Sequence, residues 1–219
     1  VLKDAVLAAE DARFYEHGGV DYKGIVRAAL ANLRDARSQG ASTITMQVAK
    51  NFYLPTEKTY TRKIYELLLT WKIEKLLSKD QILELYMNQI YLGQRAFGFA
   101  AASEIYFGKP IRDLSLAEAA MLAGLPVAPS AYNPIVNPQR ATMRQQFILS
   151  RMLEEGFITD EQYTAARHQV LRYRTPTEVP VHAEYAVETA RQLVFAQYGA
   201  EAYSRGLDVT LTIRSGDQE

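Results

Sequence analysis

The sequence predicts a mainly α-helical domain, on three observations. Apolar residues recur at helical spacing along most of the 219-residue chain. Three Ser or Thr positions carry Gln or Glu three residues on, ahead of apolar runs, which is capping-box spacing. Strand-like alternation is confined to one stretch near the end, Leu207 to Ile213.

Each element has its own signal. A first helix carries Ala5-Val6-Leu7-Ala8-Ala9 into Glu10-Asp11, and the Gly18-Gly19 pair separates it from a second. Asp21 is a natural N-cap for that second helix, in which Tyr22, Ile25, Val26, Ala29, Leu30 and Leu33 recur at helix spacing. From Gln39 to Asn51 a glycine leads into a Ser/Thr cluster. Ser42 or Thr43 suits an N-cap there, although β-branched Thr43, Ile44 and Thr45 fit a strand equally well. A helix from about Tyr60 to Leu77 is apolar on opposite sides, with Ile64, Leu67, Leu68 and Trp71 on one and Tyr65, Leu69, Ile73 and Leu76 on the other. That pattern predicts a helix surrounded by protein. Ser78 with Gln81, Ser115 with Glu118 and Thr159 with Gln162 mark three further starts. Four prolines between Gly124 and Pro138 preclude a continuous helix and predict a rigid loop, with helix resuming near Pro138. Tyr173 to His182 reads as a linker, followed by a helix over about Ala183 to Tyr198. The Leu207 to Ile213 strand has no partner in this sequence, so it is expected to pair with chain downstream or contributed elsewhere.

Composition narrows the function. Lys and Arg balance Asp and Glu, 25 each, which removes the basic face of a dedicated nucleic-acid binder. With no cysteine there is no disulfide, thiolate nucleophile or Cys-based zinc site, and His17, His168 and His182 lack ligand spacing. No apolar run reaches the ~18 residues of a membrane span, and the start lacks signal-peptide order. Opening on Val1 inside a helical pattern reads as an excised fragment with an anchor upstream.

Two glutamates stand where apolar surroundings are implied: Glu10 at the end of an apolar helix and Glu66 within one. A carboxylate there must be paired, protonated or working. Residue types alone allow ordinary accounts: Glu66 paired with Arg62 at i,i+4, Glu10 paired with Arg13, Asp11 capping the next turn, and His17 a structural histidine. They also allow chemical ones. Arg62 and Lys63 beside Glu66 suit an anionic ligand such as phosphate, and Gly40 entering Ser42-Thr43, with Lys50 two turns on, presents N–H groups and hydroxyls to an anion.

Taken together, the ordered segments resemble the peptidoglycan glycosyltransferase domain (family 51) of class A penicillin-binding proteins and monofunctional transglycosylases. Five blocks carry the resemblance: Glu10-Asp11-Ala12-Arg13-Phe14-Tyr15-Glu16-His17; Gly40-Ala41-Ser42-Thr43-Ile44-Thr45-Met46-Gln47; Arg62-Lys63-Ile64-Tyr65-Glu66; Ile82 through Asn88-Gln89 to Gly93; and Ala101 through Tyr106-Phe107-Gly108-Lys109 to Ala120. Gly124-Leu125-Pro126 and Tyr132-Asn133-Pro134 continue it. Met46 departs from the family, which often has a second glutamine there.

The resemblance implies a lysozyme-like, two-lobed helical domain over residues 1–172, its smaller lobe near the membrane. Residues 173–219 would then lead by a short linker strand toward a transpeptidase domain. It implies polymerisation of lipid II into glycan by inverting transfer, with release of undecaprenyl pyrophosphate. Glu10 would be the catalytic base. Glu66 is the second essential carboxylate, for which three roles stand open: holding cations, binding a divalent metal (Mg or Mn) or donating a proton. Lys50, Arg62 and Lys63 would neutralise the pyrophosphate. Ser42, Thr43 and Gln47 would contact sugar or phosphate, and Asp11, Phe14 and His17 would shape the pocket around the base. No organic cofactor is implied. The partners implied are lipid II, the lipid-linked glycan chain, the membrane surface, other cell-wall synthesis proteins and phosphoglycolipid inhibitors, at the outer, periplasmic face of the bacterial cytoplasmic membrane. The rival is a lysozyme-like lytic transglycosylase or glycoside hydrolase, against which the cations Lys50, Arg62 and Lys63 argue, since plain glycan carries no pyrophosphate. A catalytically dead binding module is the alternative of another class.

Overall fold

A computed structural model of the chain describes residues 1–25, 42–53, 60–174, 184–199 and 209–211. Their regular structure is helical, apart from one isolated antiparallel bridge between Tyr91 and Phe97. The chain divides into two compact units, Val1–Thr175 and Pro176–Glu219.

In the first unit, α1 (Leu2–Glu10) buries Leu2, Ala5, Val6, Leu7 and Ala8. A 3₁₀ turn, Phe14–Glu16, follows and buries Phe14. Residues 22–25 begin a helix behind Asp21, whose carboxylate accepts the Gly24 N–H at 2.9 Å and pairs with Arg13. The rest of that expected helix, residues 26–33, lies outside the described residues. The ambiguous Ser/Thr segment is helical from Ile44: α2 (Ile44–Tyr53) starts behind Thr43, whose hydroxyl accepts the Met46 N–H at 3.2 Å. The competing strand is thereby excluded at these positions.

α3 (Tyr60–Leu76) differs from expectation. It is not surrounded by protein: Ile64, Tyr65, Leu68, Trp71 and Leu76 are exposed, and Trp71 keeps 59% of its surface. The buried stripe is instead Glu66, Thr70 and Ile73, at i, i+4 and i+7. Two of these three are polar, so the helix turns a polar seam inward and an apolar face outward. The cause is local. Thr70 returns its hydroxyl to the Glu66 carbonyl at 2.7 Å, and the Gly18-Gly19 turn packs on the same seam. Gly19 has φ +93°, and a Cβ there would lie 2.7 Å from Thr70 Cγ2. Only glycine fits that approach.

All three capping boxes form. Ser78 with Gln81 starts α4 (Lys79–Gln89), Ser115 with Glu118 starts α6 (Leu116–Ala123), and Thr159 with Gln162 starts α8 (Asp160–His168). Between α4 and α6 lies α5 (Gly98–Phe107), which ends on Gly108 in the left-handed region at φ +67°. The proline-rich stretch after α6 is a run of turns, and α7 (Pro138–Glu154) begins with Pro138 in its first turn. α6 is the central helix. Ala117 through Ala123 are all buried, and its small side chains let α7 and α1 pack closely around it. Residues 171–174 return over α5: Arg174 N–H bonds the Tyr106 carbonyl at 2.8 Å and the Tyr173 ring lies 5.7 Å from that of Phe107.

The second unit contains α9 (Glu184–Tyr198). Of the expected strand Leu207 to Ile213, residues 209–211 are described and carry no regular structure, while the remainder lies outside the described residues. Linker positions 175–182 also lie outside them.

Candidate active site

Glu10 is the last residue of α1, which closes with the Asp11 N–H on the Leu7 carbonyl. Its Oε2 accepts a hydrogen bond from Gln47 Nε2 at 2.7 Å, while Oε1 is buried with no hydrogen-bond partner. Burial pushes the Glu10 carboxyl above its ordinary value; Gln47 and the more distant charge of Arg144 pull it back, and neighbouring Asp11 adds to the rise. The amide of Gln47 is itself held from behind, since Tyr86 on α4 donates its hydroxyl to Gln47 Oε1 at 3.4 Å. Tyr86 is buried, and burial together with the Glu10 charge holds its phenol well above the ordinary value, so it stays a neutral donor. The result is a hydrogen-bonded chain from Tyr86 through Gln47 to one oxygen of Glu10, with the other oxygen buried and unpartnered.

Beside this hydrogen-bonded chain Asp11 is fully engaged. Its carboxylate accepts His17 Nε2 at 2.9 and 3.0 Å and the Ile44 backbone N–H at 3.2 Å. Asp11 therefore satisfies the first N–H of α2 from 33 residues away in sequence and fixes His17, against which Phe14 packs edge-on at 6.3 Å. Thr43 is buried, and its hydroxyl donates to the Gly19 carbonyl at 2.5 Å while capping α2. Ser42 and Lys50, in contrast, are exposed.

The second carboxylate heads a separate cluster on α3. Glu66 is buried, with Oε1 on Lys63 Nζ at 2.5 Å and Oε2 on Arg62 Nη1 at 3.4 Å. The Arg62 pairing foreseen at i,i+4 exists, but in a buried setting rather than on a solvated face. The foreseen pairing of Glu10 with Arg13 does not occur: Arg13 pairs with Asp21 and Glu10 with Gln47. The site residues therefore fall into two groups. Glu10, Asp11, Phe14, His17, Thr43 and Gln47 are held by α1, its following turn and α2, and Arg62, Lys63 and Glu66 by α3, which packs on α2.

Tyr86 and Arg144 escaped the sequence reading as site residues. Tyr86 sits in the Glu84-Leu85-Tyr86 run, where an aromatic at a core position gives no sign that its hydroxyl reaches across to another helix. Arg144 looks like one more cation on a polar helix face.

A helical domain with one desolvated carboxylate and a second one tied to two cations has the equipment of a glycosyl-transfer enzyme acting on a charged donor. The chain belongs to the transglycosylase family, whose model matches residues 1–153. It is 58% identical to penicillin-binding protein 1A of Neisseria lactamica and of Neisseria gonorrhoeae, in each case over all of this chain and 28% of the relative. The chain thus spans about 28% of the length of the curated relatives it matches. The crystal structure of penicillin-binding protein 1A from Haemophilus influenzae matches with TM-score 0.51 and 35% identity, over 72% of this chain and 20% of that one. The helical architecture is accordingly the lysozyme-like transglycosylase fold.

Proposed function

We propose that this domain polymerises lipid II into glycan strands by inverting transfer at the outer face of the bacterial cytoplasmic membrane. The 4-hydroxyl of an incoming lipid II attacks the anomeric carbon of the lipid-linked chain. Glu10 takes the hydroxyl proton as the new C–O bond forms, and the anomeric C–O bond to the pyrophosphate breaks, its electron pair leaving on undecaprenyl pyrophosphate. The observation that carries this reading is the Glu10 carboxylate, with one oxygen fixed by Gln47 and the other buried and unpartnered. A base held above its ordinary carboxylate value by burial is, in its ionised form, a better proton acceptor.

The leaving group has a low pKa and needs charge neutralisation rather than a proton. Lys50, Arg62 and Lys63 supply it, and Glu66 holds the last two in place from a buried position. A divalent ion (Mg or Mn) at Glu66 would have to displace Lys63, so no step is assigned to one. Glu66 is the residue that would hold such an ion, which would supply further neutralisation of the pyrophosphate charge. Assays with EDTA, then with Mg²⁺ or Mn²⁺ restored, test that. Ser42 belongs to the same reading as a sugar or phosphate contact. Phosphoglycolipid inhibitors would compete for the cations, and other cell-wall synthesis proteins would act alongside. No helix among the described residues is long and apolar enough to cross a membrane. Support for a membrane partner is the outward face of α3, where Ile64, Tyr65, Leu68 and Trp71 are exposed beside Lys72 and Lys75; an anchor upstream would complete it.

Incubation with purified lipid II and, separately, with finished glycan tests the reaction. Polymer from the first is expected, falling about a hundredfold or more in Glu10→Gln. Glycan fragments with no polymer would establish the lytic alternative, and unchanged behaviour of Glu10→Gln would establish a binding module.

A further inference from the structure

A cavity of about 360 Å³ is lined by Ala131, Tyr132, Arg140, Met143, Arg144 and Phe147, none of which belongs to the two carboxylate clusters. Four of the six come from α7 at i, i+3, i+4 and i+7, so one helix face forms a wall, and the loop after α6 supplies the wall opposite. Neither of its two arginines makes an ion pair among the described residues; the ion pairs on α7 are made by Arg151, with Glu154 and Glu155. Arg144 lies against two rings, its guanidinium carbon 5.8 Å from the Tyr132 centroid and 5.1 Å from that of Phe147. Its Nε is buried with no hydrogen-bond partner.

A buried donor without an acceptor is costly, and a guanidinium held by aromatic rings keeps its fork pre-oriented. Such a fork matches a planar carboxylate, with Arg140 one turn away for a second contact. The exposed rim residues Met143 and Phe147 add apolar surface for short aliphatic side chains. The chemistry of the cavity is therefore that of a short acidic peptide. Its location is also informative: the Arg144 charge favours the ionised form of Glu10. One wall of the cavity therefore lies within electrostatic reach of the base.

We infer that this cavity binds a carboxylate of the peptide stem on the lipid-linked disaccharide at Glu10, an inference that rests on the lipid II reading above. Arg140 and Arg144 grip the carboxylate, Tyr132 and Phe147 hold Arg144 in position, and the stem's aliphatic groups lie over Met143. The subsite ties substrate selection to the position of the reacting disaccharide.

The test uses the full-length protein and two substrates: lipid II with its native stem, and lipid II whose stem carboxylates are converted to carboxamides. Arg140 is exposed and outside the reaction machinery, so Arg140→Glu is expected to fold and to polymerise at saturating substrate. Its KM for native lipid II should rise about fivefold or more with kcat little changed, and the rise should vanish with the carboxamide substrate. An equal rise with both substrates would mean that the arginines meet the pyrophosphate, which both retain, and would overturn the proposal. An unchanged KM for native lipid II would overturn it as well. Absence of polymer from the wild-type protein is a different result, because it removes the lipid II reading itself.

Discussion

At the scale of single residues, Glu10 is raised by burial and lowered by one hydrogen bond from Gln47, so Gln47 sets how much of the base is ionised. Gln47→Ala removes a group that favours the carboxylate, and the pKa of Glu10 should climb further. The rate depends on the ionised form and falls as pH drops through that pKa. The acid limb of the kcat/KM profile should therefore move to higher pH in Gln47→Ala, and less far in Tyr86→Phe, which loosens Gln47 without removing it. Stability carries the opposite sign. Because the folded-state pKa is raised, the contribution of Glu10 is fully present below its unfolded value and is lost as pH rises through the folded one. Glu10→Gln escapes that loss. Thermal melts at about pH 5 and about pH 8 should show the inactive variant gaining on the wild type as pH rises; a constant gap would contradict the burial of a charged Glu10.

At the scale of elements, the inverted packing of α3 explains both what sequence could reveal and what it could not. Helix starts were legible because a capping box is complete within four residues, as Ser78, Ser115 and Thr159 demonstrate. The inward face of α3 was not legible, since Ile64 and Trp71 outrank Glu66 and Thr70 by hydrophobicity, and a glycine 51 residues before Thr70 packs on the polar seam. Gly19→Ala tests that seam. The new Cβ meets Thr70 Cγ2 on backbone in the left-handed region, and the Gly19 carbonyl is the acceptor for Thr43. A loss of roughly 1 to 3 kcal/mol is expected in denaturant melts, with reduced activity as Thr43 and α2 shift. The outward face has its own consequence: replacing Ile64, Leu68 and Trp71 with serine should weaken sedimentation with anionic liposomes while leaving the melt nearly unchanged, because those side chains bury little in the fold.

At the scale of the molecule, the first compact unit, Val1–Thr175, contains every residue assigned to the reaction and its own core of α1 through α8. The sequence marks the start of a linker at Tyr173 by its composition, because prolines and threonines are local signals, but a strap folded back on α5 leaves no such mark. Residues 171–174 are that strap. Leu171 packs on the core, the Tyr173 ring meets Phe107, burial pushes the Tyr173 phenol up to about 12, and Arg174 N–H bonds the Tyr106 carbonyl. A protein ending at Thr175 keeps all of these contacts and should melt as one cooperative unit, retaining the Glu10 hydrogen bonding and polymerising lipid II. One ending at Gln169 loses an aromatic contact, a partly buried leucine and a backbone hydrogen bond, together roughly 2 to 4 kcal/mol. Its Tm should fall by about 5 to 15 °C relative to the longer form. Equal melting of the two truncations would mean that the strap adds nothing and that the unit closes at α8; failure of the Thr175 form to fold would mean that the first unit depends on the second.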